Sequence, residues 1–140
     1  MTKYEGGQVT ISWDKAGGTA WTVLGQVGDL NGPSISRTAI DATTRDSASN
    51  FWREFVPGYK DGGELGLNVM LDPALHGGAN GLLSDFNNNS ATIPSWRILF
   101  PDGAEMTFDG FVSGADISSS IDEVLTADFS VKVSGPITLP

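Results

Sequence analysis

His76 is the only histidine among 140 residues, so any Ser-His-Asp relay would have to run through it. It sits in "DPALHGG", at the start of a glycine-rich stretch, with no Gly-x-Ser-x-Gly elbow elsewhere to supply a nucleophile. Neither a P-loop nor a dinucleotide-binding glycine pattern occurs. Residues 101–109, "PDGAEMTFD", contain an Asp-Gly turn, but not the alternating oxygen ligands of an EF-hand loop. Glu105 and Asp109 would share one face of a strand, the arrangement a glycosidase pair would need. Carboxylates on the outward face of a strand are the commoner reading. Cysteine is absent, which excludes a disulfide framework and thiolate metal sites. No enzymatic activity, cofactor or metal is expected.

Chemistry of a different kind is concentrated in residues 51–63, "FWREFVPGYKDGG". Phe51, Trp52, Phe55 and Tyr59 are interleaved with Arg53, Glu54 and Lys60 and broken by Pro57, Gly58, Gly62 and Gly63. Aromatics and arginine are enriched in the cores of protein interfaces. One reading folds the segment back onto its own core. The other makes Phe51, Trp52, Arg53, Phe55 and Tyr59 a contact surface for another chain, on a long loop spanning about 42–63.

Charge is divided unevenly. Residues 1–60 balance six acids against six bases, whereas residues 61–140 set eleven acids against Arg97 and Lys132 and carry the whole net charge of −9. Such a chain is poorly suited to gripping nucleic acid, which needs basic patches. One reading of this excess is an ordinary solubilising surface; the other is one acidic face built from C-terminal strands. No apolar run spans a membrane or marks a secretory leader, so synthesis in a cytosol is expected.

The elements that would hold these groups are mostly strands, because the dominant apolar period is two. "QVTISW", "AWTVLGQV", "ISRTAID", "ELGLNVML", "WRILF", "EMTFDGFVSG" and "LTADFSVKVS" all read as strands. They direct Leu67, Val69, Phe108, Phe129 and Val131 inward. Glu105, Asp109 and Asp128 fall on outward faces. Asp72-Pro73 begins one helix over about 73–87, with Leu75, Ala79, Leu82, Leu83 and Phe86 at helical spacing. The length suits one domain. The fold expected is mainly β: a β-sandwich or partly closed barrel with one flanking α-helix. On residues alone, a ligand- or carbohydrate-binding β-domain using Trp13, Trp21, Trp52 and Trp96 as platforms stays open beside an assembly subunit.

Four ordered blocks narrow this: a strand ending Ile40-Asp41, the loop from Trp52-Arg53-Glu54-Phe55 to Asp61-Gly62-Gly63-Glu64, the Phe100-Pro101-Asp102-Gly103 turn, and the final amphipathic strand. "SISRTAIDATTRDS…FWREFVPGYKDGGELGLNVMLDP", "HGG…GLLSDF", "SWRILFPDGAEMTFDGFVSG" and "ADISSSIDEVLTADFSVKVSGPITLP" together resemble the tail tube proteins, or major tail proteins, of lambda-like siphophages. The resemblance runs from about residue 32 to the C-terminus. It implies one tail tube domain over 1–140, without the C-terminal immunoglobulin-like domain of some relatives. It implies hexameric rings stacked into a hollow conduit for phage DNA, which passes through without specific binding. Its further implications are no enzymatic activity, no cofactor and no membrane association. The implied partners are other copies of the chain, a tail terminator, a tape measure and baseplate or tip proteins. The place implied is the virion tail, after assembly in the host cytoplasm. Within that family, Phe51, Trp52, Arg53, Phe55 and Tyr59 would touch neighbouring subunits, and Glu105, Asp109 and Asp128 would face the lumen. The tube of a related cell-encoded injection machine is the near alternative.

Overall fold

A computed structural model describes residues 3, 5–45, 52–78, 81–87 and 91–140. A single 3-10 turn, Gly6–Gln8, leads into β1 (Thr10–Asp14), β2 (Thr22–Val23), β3 (Val27–Asn31), β4 (Ser36–Asp41), β5 (Phe55–Asp61) and β6 (Glu64–Met70). Two short helices, α1 (Pro73–His76) and α2 (Leu82–Phe86), precede β7 (Ser95–Leu99), β8 (Glu105–Ser118) and β9 (Thr126–Thr138). Seven strands form one antiparallel sheet in the order β2-β1-β7-β8-β9-β6-β3. Strands β4 and β5 stand apart as a two-stranded hairpin.

The sheet curls because its connections require it. Its two edges, β2 and β3, are joined by Leu24, Gly25 and Gln26 alone. Four residue steps reach about 14 Å at full extension. Seven flat strands would separate the edges by about 29 Å. The connector is bonded to both margins: Leu24 N–H donates to the Ile11 carbonyl at 3.0 Å, and Met70 N–H to the Gln26 carbonyl at 2.9 Å. The edges approach without pairing, so the sheet is rolled but not closed. "AWTVLGQV", expected as one strand, is thus broken at Leu24–Gln26 so that its halves serve opposite edges. Val23 is exposed.

Inside the roll, Leu65, Leu67 and Val69 of β6 meet Val131, Phe129 and Ala127 of β9 in register. Trp13 and Trp96 lie directly opposite each other, ring centroids 5.3 Å apart, and the Trp96 indole donates to the Gly110 carbonyl at 2.9 Å. Phe108, Val112 and Leu82 complete this wall. The inward set Leu67, Val69, Phe108, Phe129 and Val131 is buried as the alternation dictates.

The single helix expected over 73–87 is two. Asp72 caps α1 through its carboxylate, which accepts the Ala74 N–H at 3.0 Å, with Pro73 in the first turn. After four residues the chain reaches Gly77 in extended conformation and Gly78 at φ +71°, and helix cannot continue through them. It resumes at Leu82, the residue that anchors α2 in the core. Ala79 lies outside the described residues.

Candidate functional site

Two surfaces concern function: the hairpin arm and the polar face of the sheet. The arm, β4 with β5, corrects the expectation of an irregular loop over 42–63, because Phe55–Asp61 is a strand. Its breakers are accommodated. Pro57 lies in a strand with a neighbour on one side only, where a missing N–H is tolerated. Gly58 and Tyr59 together oppose Thr38, a bulge in the ladder. The chain turns from arm to body at Gly62-Gly63, where Gly63 has φ +67° and donates its N–H to the Asp61 carboxylate at 2.8 Å.

One arm face presents the cross-strand pairs Arg37–Lys60, Ala39–Pro57 and Asp41–Phe55; the other presents Ile40–Val56. Tyr59 is 92% exposed and Trp52 72%, while Ile40, Phe55 and Val56 are each about half exposed. The aromatics therefore do not complete the chain's own core. Arg53 pairs with Asp41 and lies over the Phe55 ring at 5.6 Å. The Thr43 hydroxyl and backbone N–H, and then the Arg53 guanidinium, lower the Asp41 pKa from 3.8 to about 2. A depressed carboxylate favours the folded arm above 3.8, and that contribution is lost as pH falls towards 2. Phe51 lies outside the described residues.

The polar sheet face gathers the acidic strand residues. Glu105 is 3.5 Å from Arg97, Asp109 accepts from the Ser95 hydroxyl at 3.2 Å, and Asp128 accepts from the Asn68 amide at 2.7 Å. Register adds Asp116, which periodicity did not place there, and brings in Glu64, which alternation already puts on the outward side of β6. Asp116 stands directly opposite Asp128, and Glu64 opposite Lys132. A bulge between Val112 and Gly114 inserts one residue into β8 and reverses its phase. Counting from Glu105 puts residue 116 inward; the bulge turns it outward. Five carboxylates on this face meet Arg97 and Lys132, and Lys132 is also 3.8 Å from Asp61.

Other candidates are structural. His76 is buried, with Nδ1 accepting the Asp72 N–H at 3.1 Å and Nε2–H donating to the Gly25 carbonyl at 3.0 Å. It ties α1 to the connector between the sheet edges and faces no nucleophile. Asp85, buried in α2, accepts the Val112 N–H at 2.9 Å, just beyond the point where β7 ends. It satisfies an edge amide that has lost its neighbouring strand. Trp13 and Trp96 are buried, and Trp21 stacks over Arg97 at 5.2 Å. The four tryptophans therefore form no sugar platform. Among the described residues, no group of three or more His, Asp and Glu could hold a metal. A cleft of about 790 Å³ opens at the seam of the roll, lined by Val9, Ile11, Val27, Leu30, Ile98 and Phe100 among others.

A rolled, unclosed sheet with an unpartnered arm defines a subunit of an assembly, built like a tail tube protomer. Residues 7–139 match the lambda phage tail tube protein (TTP) family, and the chain belongs to that family of structural tube subunits. No curated protein sequence matches it. Among solved structures, it resembles a chain from the tail of an empty gene transfer agent particle, refined with C6 helical symmetry, at 12% identity and TM-score 0.76 over 99% of both chains. It also resembles a chain of the sheath/tube terminator of an extracellular contractile injection system, at 13% identity and TM-score 0.69, covering 99% and 98%. For the SPP1 tail tube the values are 10% and 0.64, covering 95% of this chain and 77% of the other. At such identities these likenesses speak to the fold.

Proposed function

We propose that the chain, a single tail tube domain over residues 1–140, forms hexameric rings that stack into a hollow conduit for DNA. The arm packs on neighbouring copies through Trp52, Arg53, Phe55 and Tyr59, with Phe51 beside them. The observation that carries this reading is the arm itself. A two-stranded hairpin is marginal in water unless something packs on it, and both faces of this one expose apolar side chains. A neighbouring subunit supplies the missing layer. Contacts that close produce a ring, and contacts that do not close produce a filament.

In this arrangement the polar sheet face lines the lumen. Sixfold repetition turns Glu105, Asp109 and Asp128, with Asp116 and Glu64, into rings of negative charge. Duplex DNA carries about one phosphate charge per 1.7 Å of axis. A wall of like sign keeps such a polyanion hydrated and free to slide. The tube acts as a structural conduit in the virion tail, without catalysis or cofactor. It is assembled in the host cytoplasm and meets a terminator, a tape measure and baseplate or tip proteins. Family membership favours DNA over the protein cargo of an injection machine.

Negative-stain imaging of the concentrated chain tests assembly: rings or tubes are expected, and a persistent monomer overturns the reading. The pair Asp109→Lys and Asp128→Lys tests the lumen. Tubes should still form while DNA delivery slows, most at low salt. Normal delivery through well-formed tubes removes these acids from the lumen, and failure to form tubes moves them to an interface.

A further inference from the structure

The arm carries a charge conflict that the chain does not resolve by itself. Arg37 and Lys60 stand directly opposite each other, and like charges across a ladder repel. Arg37 Nε donates to the Gly58 carbonyl at 3.4 Å, and neither base joins an ion pair among the described residues. Beside them Ile35 is half exposed. This is a basic patch with an apolar margin, open to solvent.

The complementary patch lies at the tip between β8 and β9. Residues 119–124, "SSIDEV", form a turn in which Glu123 N–H donates to the Ser120 carbonyl at 3.3 Å. It displays Asp122 and Glu123 with no base in the segment. Ile121 is completely exposed and Val124 is 61% exposed. The turn between β7 and β8 is a poorer match, since Pro101–Gly103 offers Asp102 alone and no exposed large apolar side chain.

Placement decides between an internal contact and one between copies. The arm joins the body at the Glu64 end of β6, across the Gly62-Gly63 turn. The acidic tip follows Ser118 and precedes Thr126, and Thr126 pairs with Met70 at the other end of β6. Seven strand residues separate the two ends by about 20 Å. Opposite signs and exposed apolar groups at opposite ends of one strand pair form a head-to-tail match. Such a match is satisfied by a second copy displaced along the strand direction, and repeating it builds an open filament.

We propose that the β8–β9 tip of one copy docks on the basic face of the arm of the next, with Asp122 and Glu123 meeting Arg37 and Lys60, and Ile121 and Val124 against Ile35. This rests on the tube reading and names the surface that the arm engages. The contact steers docking electrostatically and weakens as salt rises.

The experiment compares wild type with an arm reversal (Arg37→Glu, Lys60→Glu), a tip reversal (Asp122→Lys, Glu123→Lys), the four-site chain and an equimolar mixture of the two reversals. Sedimentation and negative stain read assembly at low salt; thermal melts check that every monomer folds. Arm neutralisation (Arg37→Gln, Lys60→Gln) serves if a reversal misfolds. Each reversal should raise the concentration needed for assembly by about tenfold or more. The four-site chain and the mixture should both return close to wild type, because each restores opposite charges across the contact. Wild type that never assembles brings down the tube reading and this contact with it. Wild type that assembles, with reversals that assemble equally well, overturns the contact alone. So do reversals that block assembly and are rescued by neither combination.

Discussion

Strands β5 and β6 are separated by two glycines and differ in almost everything that follows. "FVPGYKD" leaves every residue but Gly58 exposed, whereas "ELGLNVM" buries Leu65, Leu67 and Val69 to 2% exposure or less. Both contain large apolar residues. Strand β6 has β9 on one side, β3 on the other and a packed interior behind it. Strand β5 has β4 alone. Apolar composition draws a strand towards burial, but a second layer must exist for burial to occur. In the body that layer is intramolecular. For the arm the described residues supply none, and in the proposed tube it comes from another copy.

The comparison can be pressed from its stable side first. Phe129→Ala empties the centre of the roll and should cost about 3–5 kcal/mol in denaturant unfolding. A loss below about 1 kcal/mol would place this wall of the core outside the stabilising unit. Asp85→Ala should cost about 1–3 kcal/mol, because it strands the Val112 N–H where β7 has ended. Asp85→Asn keeps an acceptor there and should recover most of that loss; equal losses would assign the effect to α2 packing. The smallest effect on the monomer is expected in the arm. Trp52→Ala and Tyr59→Ala should each change its stability by no more than about 0.5 kcal/mol. Both should nevertheless impair tube formation, and hydrogen exchange should show arm amides gaining protection on assembly. Strong protection of the arm already in the monomer would erase the distinction between the two regions.

Much of the body is legible in its alternation. In "LTADFSVKVS" every second residue from Ala127 to Val133 faces the interior, because a one-residue slip would put the whole set in water. The Asp72-Pro73 start of α1 is equally local, since cap and first turn need only their own backbone. The aromatic content of residues 51–59 is the reason to expect a contact surface, but it does not state the segment's shape. Its strand was obscured by Pro57 and Gly58, which are breakers only where a ladder needs both sides.

Three features were settled by tertiary structure. "AWTVLGQV" is divided because the sheet must roll until its edges are three residues apart, a requirement set by strands far away in sequence. Asp116 joins the acidic face because a bulge shifts β8 by one residue, and the partner strand alone reveals which residue is extra. His76, the one histidine a relay could use, and Asp85 are occupied in holding backbone groups where strands and connectors leave them unpaired. Local periodicity fixes which face of a strand is apolar, since that depends on neighbours two residues away. The strand that lies alongside, and whether a further layer covers it, depend on chain closure over the whole domain. For the arm, the proposed assembly makes them depend on a further copy.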